Sequence, residues 1–241
     1  MRNYDDLQIW AGADYVVNDV LTIHQPKVGE VIDFGERRYF GLISVLTATP
    51  TEYKAPLFDM GIDWENITDY DMFISFSRSI PVDDSRILLG NLDLSSMEPF
   101  VNGAGEVALK SGDGVVIDKN IYYNINSYIS KTHGIKKKRD VAGNAFTKRM
   151  LIKLNREELE MAKSKPYTSR MLPLISALVN SPGFKYNSHQ VRDIGIVEFF
   201  DSVNRTQAIR HANAILNGMC TGMVDSSKIS ESSYNIFKDL I

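Results

Sequence analysis

The chain has 241 residues, enough for one large domain or two small ones, and its 44% hydrophobic and 24% charged side chains are ordinary for a folded soluble protein. The formal net charge of −3 recruits no partner by itself. Cys220 is the single cysteine, which excludes an internal disulfide and a thiolate metal cluster built from one chain.

No apolar run approaches the roughly 20 residues of a membrane span. The polar, acidic start from Met1 to Asp6 is unlike a secretory signal, so a cytosolic protein is expected. The charge is unevenly distributed. Residues 1–130 carry 20 acidic and 9 basic side chains, residues 131–170 carry 4 and 12, and residues 171–241 carry 6 of each. Such a contrast suggests a basic surface or arm, or acidic and basic parts that attract each other within a molecule or between neighbours.

In chain order, Tyr15 to Ile23 is β-branched and partly alternating, which predicts one or two short strands around an Asn18-Asp19 turn. Pro26 should open a helix that Gly35 stops. A second helix from Glu36 places Tyr39, Leu42, Ile43 and Leu46 on one face. Short helices follow over Thr51–Met60 and Thr68–Phe76, each with a threonine as candidate cap, and another runs from Pro81 to Gly90. Val101 to Gly105 is a turn signal, and residues 106–109 and 115–117 read as a hairpin around Ser111-Gly112-Asp113-Gly114. Asp118 caps the next helix, where Ile121, Ile125, Tyr128 and Ile129 recur at helical spacing.

Lys136-Lys137-Lys138-Arg139, between Gly134 and Gly143, reads as an exposed linker or arm. A long helix over Asn144–Lys165 carries Phe146, Met150, Leu151, Leu154, Leu159 and Met161, whose imperfect fit to one face suggests a break near Asn155. Pro166 ends it, and Pro173 starts or kinks the next. Ser188 to Met223 has the pattern of two helices closing the core, with Ser188 as N-cap, Asn204 at the bend, and Gly218 or Gly222 as the stop. Ser230 caps a last short helix holding Tyr234, Phe237 and Leu240.

The expected fold class is mainly α (α+β): a multi-helix core with a short N-terminal strand pair and a small hairpin near residues 106–117. The expected organisation is an acidic helical region over 1–130, a basic linker or arm over 131–143 and a helical region over 144–241, all within one compact domain if they pack together.

Chemistry-bearing patterns are sparse. His24, His133, His189 and His211 are scattered, with no His-Glu-x-x-His pattern, and read as surface or satisfied interior side chains. Cys220, near the end of an apolar helix, reads as a small buried thiol and not a nucleophile. The turns at Asn102–Gly105 and Ser111–Gly114 lack the register of a phosphate or dinucleotide loop. Asp59, Asp63, Glu65, Asp69 and Asp71 lack calcium-loop spacing and read as a solvated acidic face. No catalytic, cofactor or metal residues are assigned. The candidate contact residues are Lys136, Lys137, Lys138 and Arg139, for a protein partner or a nucleic acid, although no aromatics are interleaved for stacking. Tyr4, Trp10, Tyr53 and Trp64 are candidate contact anchors or core aromatics.

The stretch from Ile23 to Tyr39 has the form apolar-x-Gln-Pro-x-Val-x-Glu-Val-Ile-x-Phe-Gly-x-x-x-Tyr. It resembles the opening of a group of tail-gene products from bacteriophages of Gram-positive bacteria, described as tail assembly chaperones or minor structural proteins. Gly114–Asp118 and Leu216–Asp225 are similar to that group as well. The resemblance implies a helix-rich, non-enzymatic assembly or structural protein without cofactors. It would contact phage tail or neck proteins, or a second copy of itself, in the host cytoplasm or on the virion and not in a membrane. The alternative is a nucleic-acid-binding accessory protein using residues 136–139.

Overall fold

Residues 5–238 are described by the computed structural model, so Tyr4 and Leu240 lie outside the described residues. Among these, ten α-helices accompany a two-stranded and a three-stranded antiparallel sheet, a mainly helical fold as the sequence implied.

Helix α1 (Asp6–Trp10) leads into the antiparallel pair β1 (Tyr15–Val16) and β2 (Thr22–Ile23). Asn18 makes the turn because its Oδ1 accepts the N–H groups of Val20 and Leu21 at 3.0 and 2.8 Å. Helices α2 (Val28–Phe34) and α3 (Glu36–Leu46) meet at Gly35, whose φ of 101° is a conformation that glycine adopts without penalty. Helix α2 starts two residues after Pro26, with Lys27 as N-cap. Tyr39, Leu42, Ile43 and Leu46 are all buried, as their spacing required.

A 3-10 turn (Pro50–Tyr53) precedes α4 (Lys54–Asp59). Its cap is Thr49 with Glu52, not Thr51, because Pro50 suits the first turn and the Thr51 hydroxyl oxygen accepts the Asp140 N–H instead. Thr68 caps α5 (Asp69–Ser77), and α6 (Val82–Leu89) stops at Gly90. The expected hairpin forms between β4 (Val107–Lys110) and β5 (Val116–Ile117), and a third strand, β3 (Glu98–Val101), pairs with β4. Strand β3 escaped the sequence reading because it contains Pro99 and is exposed along its whole length, so it has no alternation.

Helix α7 (Lys119–Thr132) is capped by Asp118, and α8 (Ala145–Ser164) by Asn144. The expected break at Asn155 is absent. Asn155 is buried, where its Oδ1 accepts the Ala55 N–H at 3.0 Å and its Nδ2 donates to the Glu52 carbonyl at 3.1 Å. A polar side chain in the helix interior is here a docking contact with α4. Helix α9 (Met171–Val179) has Pro173 in its first turn.

The reading of Ser188–Met223 as two helices is corrected. A 3-10 turn (Gln190–Arg192) is followed by one continuous helix, α10 (Ile196–Cys220), with Gly195 rather than Ser188 as N-cap and no bend at Asn204. Val191 is buried from the 3-10 turn and Ile194 from the bend after it, and burial outside an α-helix mimics helical periodicity. The chain must pass close there: a Cβ on Gly195 would lie 2.7 Å from Gln25 Oε1. Gly222, at φ 73°, follows the helix end, whereas Gly218 sits inside α10 against Val224, and Cys220, the last residue of α10, is exposed and not the buried thiol expected. The last short helix is a 3-10 turn over Glu231–Ser233, and Phe237 points into solvent instead of a core.

The main apolar cluster draws residues from Ile9 to Phe199. The conspicuous 23–39 stretch sits on the start of α10. Val28 N–H donates to the Ile194 carbonyl at 3.0 Å, and Ile196 N–H to the Pro26 carbonyl at 2.9 Å. A second, smaller cluster of Ala48, Ala55, Leu57, Trp64, Met72 and Ile152 lies between α4, α5 and α8.

Candidate interaction surface

The basic segment runs without helix or strand from Gly134 to Gly143, between α7 and α8, and crosses the acidic stretch of residues 59–71. That stretch is not an unpaired solvated face. Lys137 Nζ lies 2.7 Å from Asp69, and Lys148 Nζ lies 2.6 Å from Asp63 and 2.7 Å from Glu65. Arg156 pairs with Asp59 at 2.5 Å, and Asp71 closes the capping box of Thr68. The attraction between the acidic and basic parts is therefore satisfied within one molecule.

Asp140 is the hub of the crossing. Its carboxylate takes the Nζ of buried Lys54 at 2.6 Å, its N–H donates to Thr51 Oγ1 at 3.2 Å, and its carbonyl accepts the Trp64 indole N–H at 3.4 Å. Two residues on, the Ala142 N–H donates to Glu65 at 2.6 Å. Lys148 also lies over the Trp64 ring, 4.8 Å from its centroid. Hydrogen bonds from Lys148 hold the Asp63 and Glu65 carboxyls below their usual range, and the same bonds raise the Lys148 ammonium above its own.

The four candidate contact residues are split. Lys137, Lys138 and Arg139 line a cleft of about 430 Å³ with Thr49, Trp64 and Tyr123, whereas Lys136 faces a separate cleft of about 500 Å³ beside His211 and Phe200. Among the described residues Lys138 and Arg139 have no ion-pair partner, while Lys137 is committed to Asp69. The first cleft also presents Glu65, Asp69 and Asp140, so its field is mixed in sign.

Of the candidate anchors, Trp64 is buried, Tyr53 is half-buried against Phe76, and Trp10 is partly exposed with its indole N–H on Asp201 at 3.0 Å. The sequence reading missed the outer face of α8. Phe146, Met150, Leu154 and Met161 are 74%, 41%, 50% and 53% exposed, while Ile152 and Asn155 are buried on the opposite face. The imperfect apolar periodicity was the signal: it records two stripes on one helix, and not a break.

Two further features tie the C-terminal part to the rest. The Glu36 carboxylate accepts Ser169 Oγ and the Arg170 N–H, both at 2.5 Å, and the Met171 N–H at 2.8 Å, so it caps α9 from the start of α3. Burial works against the charged form of Glu36, but these bonds outweigh it and lower its pKa. Arg192 holds both carboxylate oxygens of Asp33 at 2.8 Å, and its carbonyl would lie 2.9 Å from a Cβ on Gly29.

These elements define a helix-rich protein whose charged segments are tied to each other and whose apolar residues are left outward on α8 and on the C-terminal half of α10. Among the described residues no helix is long and apolar enough to cross a membrane. Residues 163–236 match the family model described as YomV second domain, of a protein family from a Bacillus prophage region. That match covers α9 and α10 and does not extend to the 23–39 stretch. No curated protein and no solved structure matches the chain.

Proposed function

We propose that the chain is a non-enzymatic bacteriophage assembly or structural protein, of the tail or neck, that acts through protein–protein contacts in the host cytoplasm or on the virion. The observation that carries this reading lies within the family match. There α10 ends with Ile209 and Leu216 exposed, and Met223 stands free just beyond it. Exposed apolar side chains on an ordered helix are contact material. The likeness of residues 23–39 to tail-gene products supports the tail assignment, and the prophage-region family supports the phage setting.

The test is calorimetric titration of the purified chain against each purified tail and neck protein encoded by the same phage. Binding to one of them, weakened by Leu216→Glu, is expected. Failure to bind any of them overturns the reading.

Lys138 and Arg139, exposed and unpaired among the described residues, favour a second reading as a nucleic-acid accessory protein. The carboxylates of the same cleft oppose phosphate and make it the weaker one. DNA binding unchanged by replacing Lys136, Lys138 and Arg139 with glutamine would sink it.

A further inference from the structure

We propose that the basic cleft between the end of α7 and the middle of α10 takes an extended, acidic segment of a protein partner. The inference rests on the protein-contact reading and deepens it by naming the chemistry of the partner.

The cleft, of about 500 Å³, has α10 as one wall. Phe200, Asn204, Gln207 and His211 recur at i, i+4, i+7 and i+11, so they share an arc of about 60° over about 16 Å. The rings of Phe200 and buried His133, 5.8 Å apart, close the floor. The other wall is the end of α7. There Gly134, at φ 61°, turns the chain, and the Ile135 N–H returns to the Ser130 carbonyl at 2.8 Å. Ile135 packs on the main core, which fixes Lys136 at the rim. Arg205 of α10 donates to the Ile236 carbonyl and, at 3.0 Å, to that of Lys238, which brings Lys238 to the same rim.

The cleft has one sign of charge. Its lining contains Lys131, Lys136, Lys238 and His211 and, among the described residues, no carboxylate. Helix α7 has no acidic residue. The two acids of α10, Glu198 and Asp201, line a different cleft, where they accept the Tyr186 hydroxyl and the Trp10 indole N–H. Asp6 pairs with Lys131 at 2.8 Å from outside the lining and offsets part of its charge. Lys136 and Lys238 have no ion-pair partner among the described residues. A concave site lined by one sign concentrates groups of the other. This separates Lys136 from Lys138 and Arg139, whose cleft also holds Glu65, Asp69 and Asp140.

The amides of Asn204 and Gln207 select a peptide. Neither side chain makes a hydrogen bond among the described residues. Each presents a donor beside an acceptor, as a peptide bond does, whereas a phosphate group offers acceptors only. Phe200 is already engaged by His133 and Phe199, so it is no open platform for a nucleic-acid base. The length of the α10 wall suits about five residues of extended chain.

The test is fluorescence anisotropy with the full chain and a fluorescein-labelled peptide of five glutamates, with helix content of each variant checked by circular dichroism. Binding below about 100 µM is expected at about 50 mM salt, weakening as salt rises. Lys136→Gln should weaken it at least about fivefold, and Lys136→Arg should retain it. Gln207→Glu, an acid placed in the middle of the α10 wall, should weaken it at least about tenfold. Lys110→Gln removes the same charge from β4 and should change it less than about twofold.

Absence of peptide binding at that concentration overturns the proposal. So does equal weakening by Lys136→Gln and Lys110→Gln, which signals attraction by overall charge. Displacement of the peptide by about 1 mM inorganic phosphate, or tighter binding of a single-stranded DNA probe with the same response to Lys136→Gln, assigns the cleft to phosphate and also overturns it. A chain that ignores the peptide yet binds a tail or neck protein leaves the protein-contact reading standing. Peptide binding through Lys136 by a chain that binds no particle protein leaves the cleft standing and removes the tail or neck assignment.

Discussion

Asp140 holds the ammonium of Lys54 at 2.6 Å from a loop 86 residues further along the chain, and the Thr51 carbonyl takes the same ammonium at 2.7 Å. Lys54 is buried at the start of α4, so the pair anchors the basic segment to the wall of the smaller cluster. Asp140→Ala leaves the ammonium with one partner. The expected loss is about 2–3 kcal/mol, the scale of a hydrogen bond to a charged group. For a domain of this size that lowers the melting temperature by about 5–10 °C in a thermal scan. Asp140→Asn should recover part of it, and an unchanged melting temperature would show that the anchor contributes nothing.

His133 should give the protein an acid-sensitive range. Its Nε2 accepts the Tyr39 O–H at 2.7 Å and its Nδ1–H donates to the Ile129 carbonyl at 2.9 Å, a tautomer assigned from these partners. Burial pushes its pKa from 6.5 down to about 4, although the bond to Ile129 works the other way. Between those values the unfolded chain takes up a proton that the folded chain refuses. Stability present above pH 6.5 should fall as the pH drops toward 4, by about 3 kcal/mol from this group. Urea midpoints across that range check it, with His133→Gln flattening the slope. A ring proton of His133 titrating near pH 6.5 by NMR would refute it.

Lys148 sets a second, lower pH limit. Asp63 and Glu65 have depressed pKa values because Lys148 donates to both. Their contribution is present above the ordinary carboxylate values of 3.8 and 4.5 and is lost as the pH falls through the depressed folded values. In Lys148→Met the loss below pH 4.5 should be shallower than in the wild type, read as urea midpoint against pH. Parallel acid limbs in the two proteins would count against the arrangement.

Glu36→Gln removes the charge that caps α9 from α3. The expected cost is about 1–2 kcal/mol, the scale of a lost N-cap. Hydrogen exchange should accelerate at Arg170 and Met171 while the amides of α5 stay protected. Equal acceleration in both places would mean global destabilisation and not a released cap.

Local signals carried much of the fold. Thr68 and Asp118 cap the helices they were expected to cap, Gly35 and Gly90 stop theirs, and the 106–117 hairpin forms where its turn residues lie. Each depends on contacts a few residues apart, which a single sequence displays. The misreadings at Ser188, Asn155 and Asn204 share one cause: apolar spacing does not tell a buried loop from a helix, or a buried asparagine from a breaker. The candidate surface was legible only as a list of charges. Which acid meets which base depends on sequence separations of 68 for Asp69 and Lys137, and 85 for Asp63 and Lys148.

By itself the sequence determined the helical class, most caps and stops, the uneven charge and the apolar residues of α8. Tertiary structure decided that the charges pair within the chain and split Lys136 from its three neighbours. It also decided that α8 turns one apolar stripe inward and the other outward. Periodicity marks a face of a helix, and only packing against the rest of the chain determines which face is already covered.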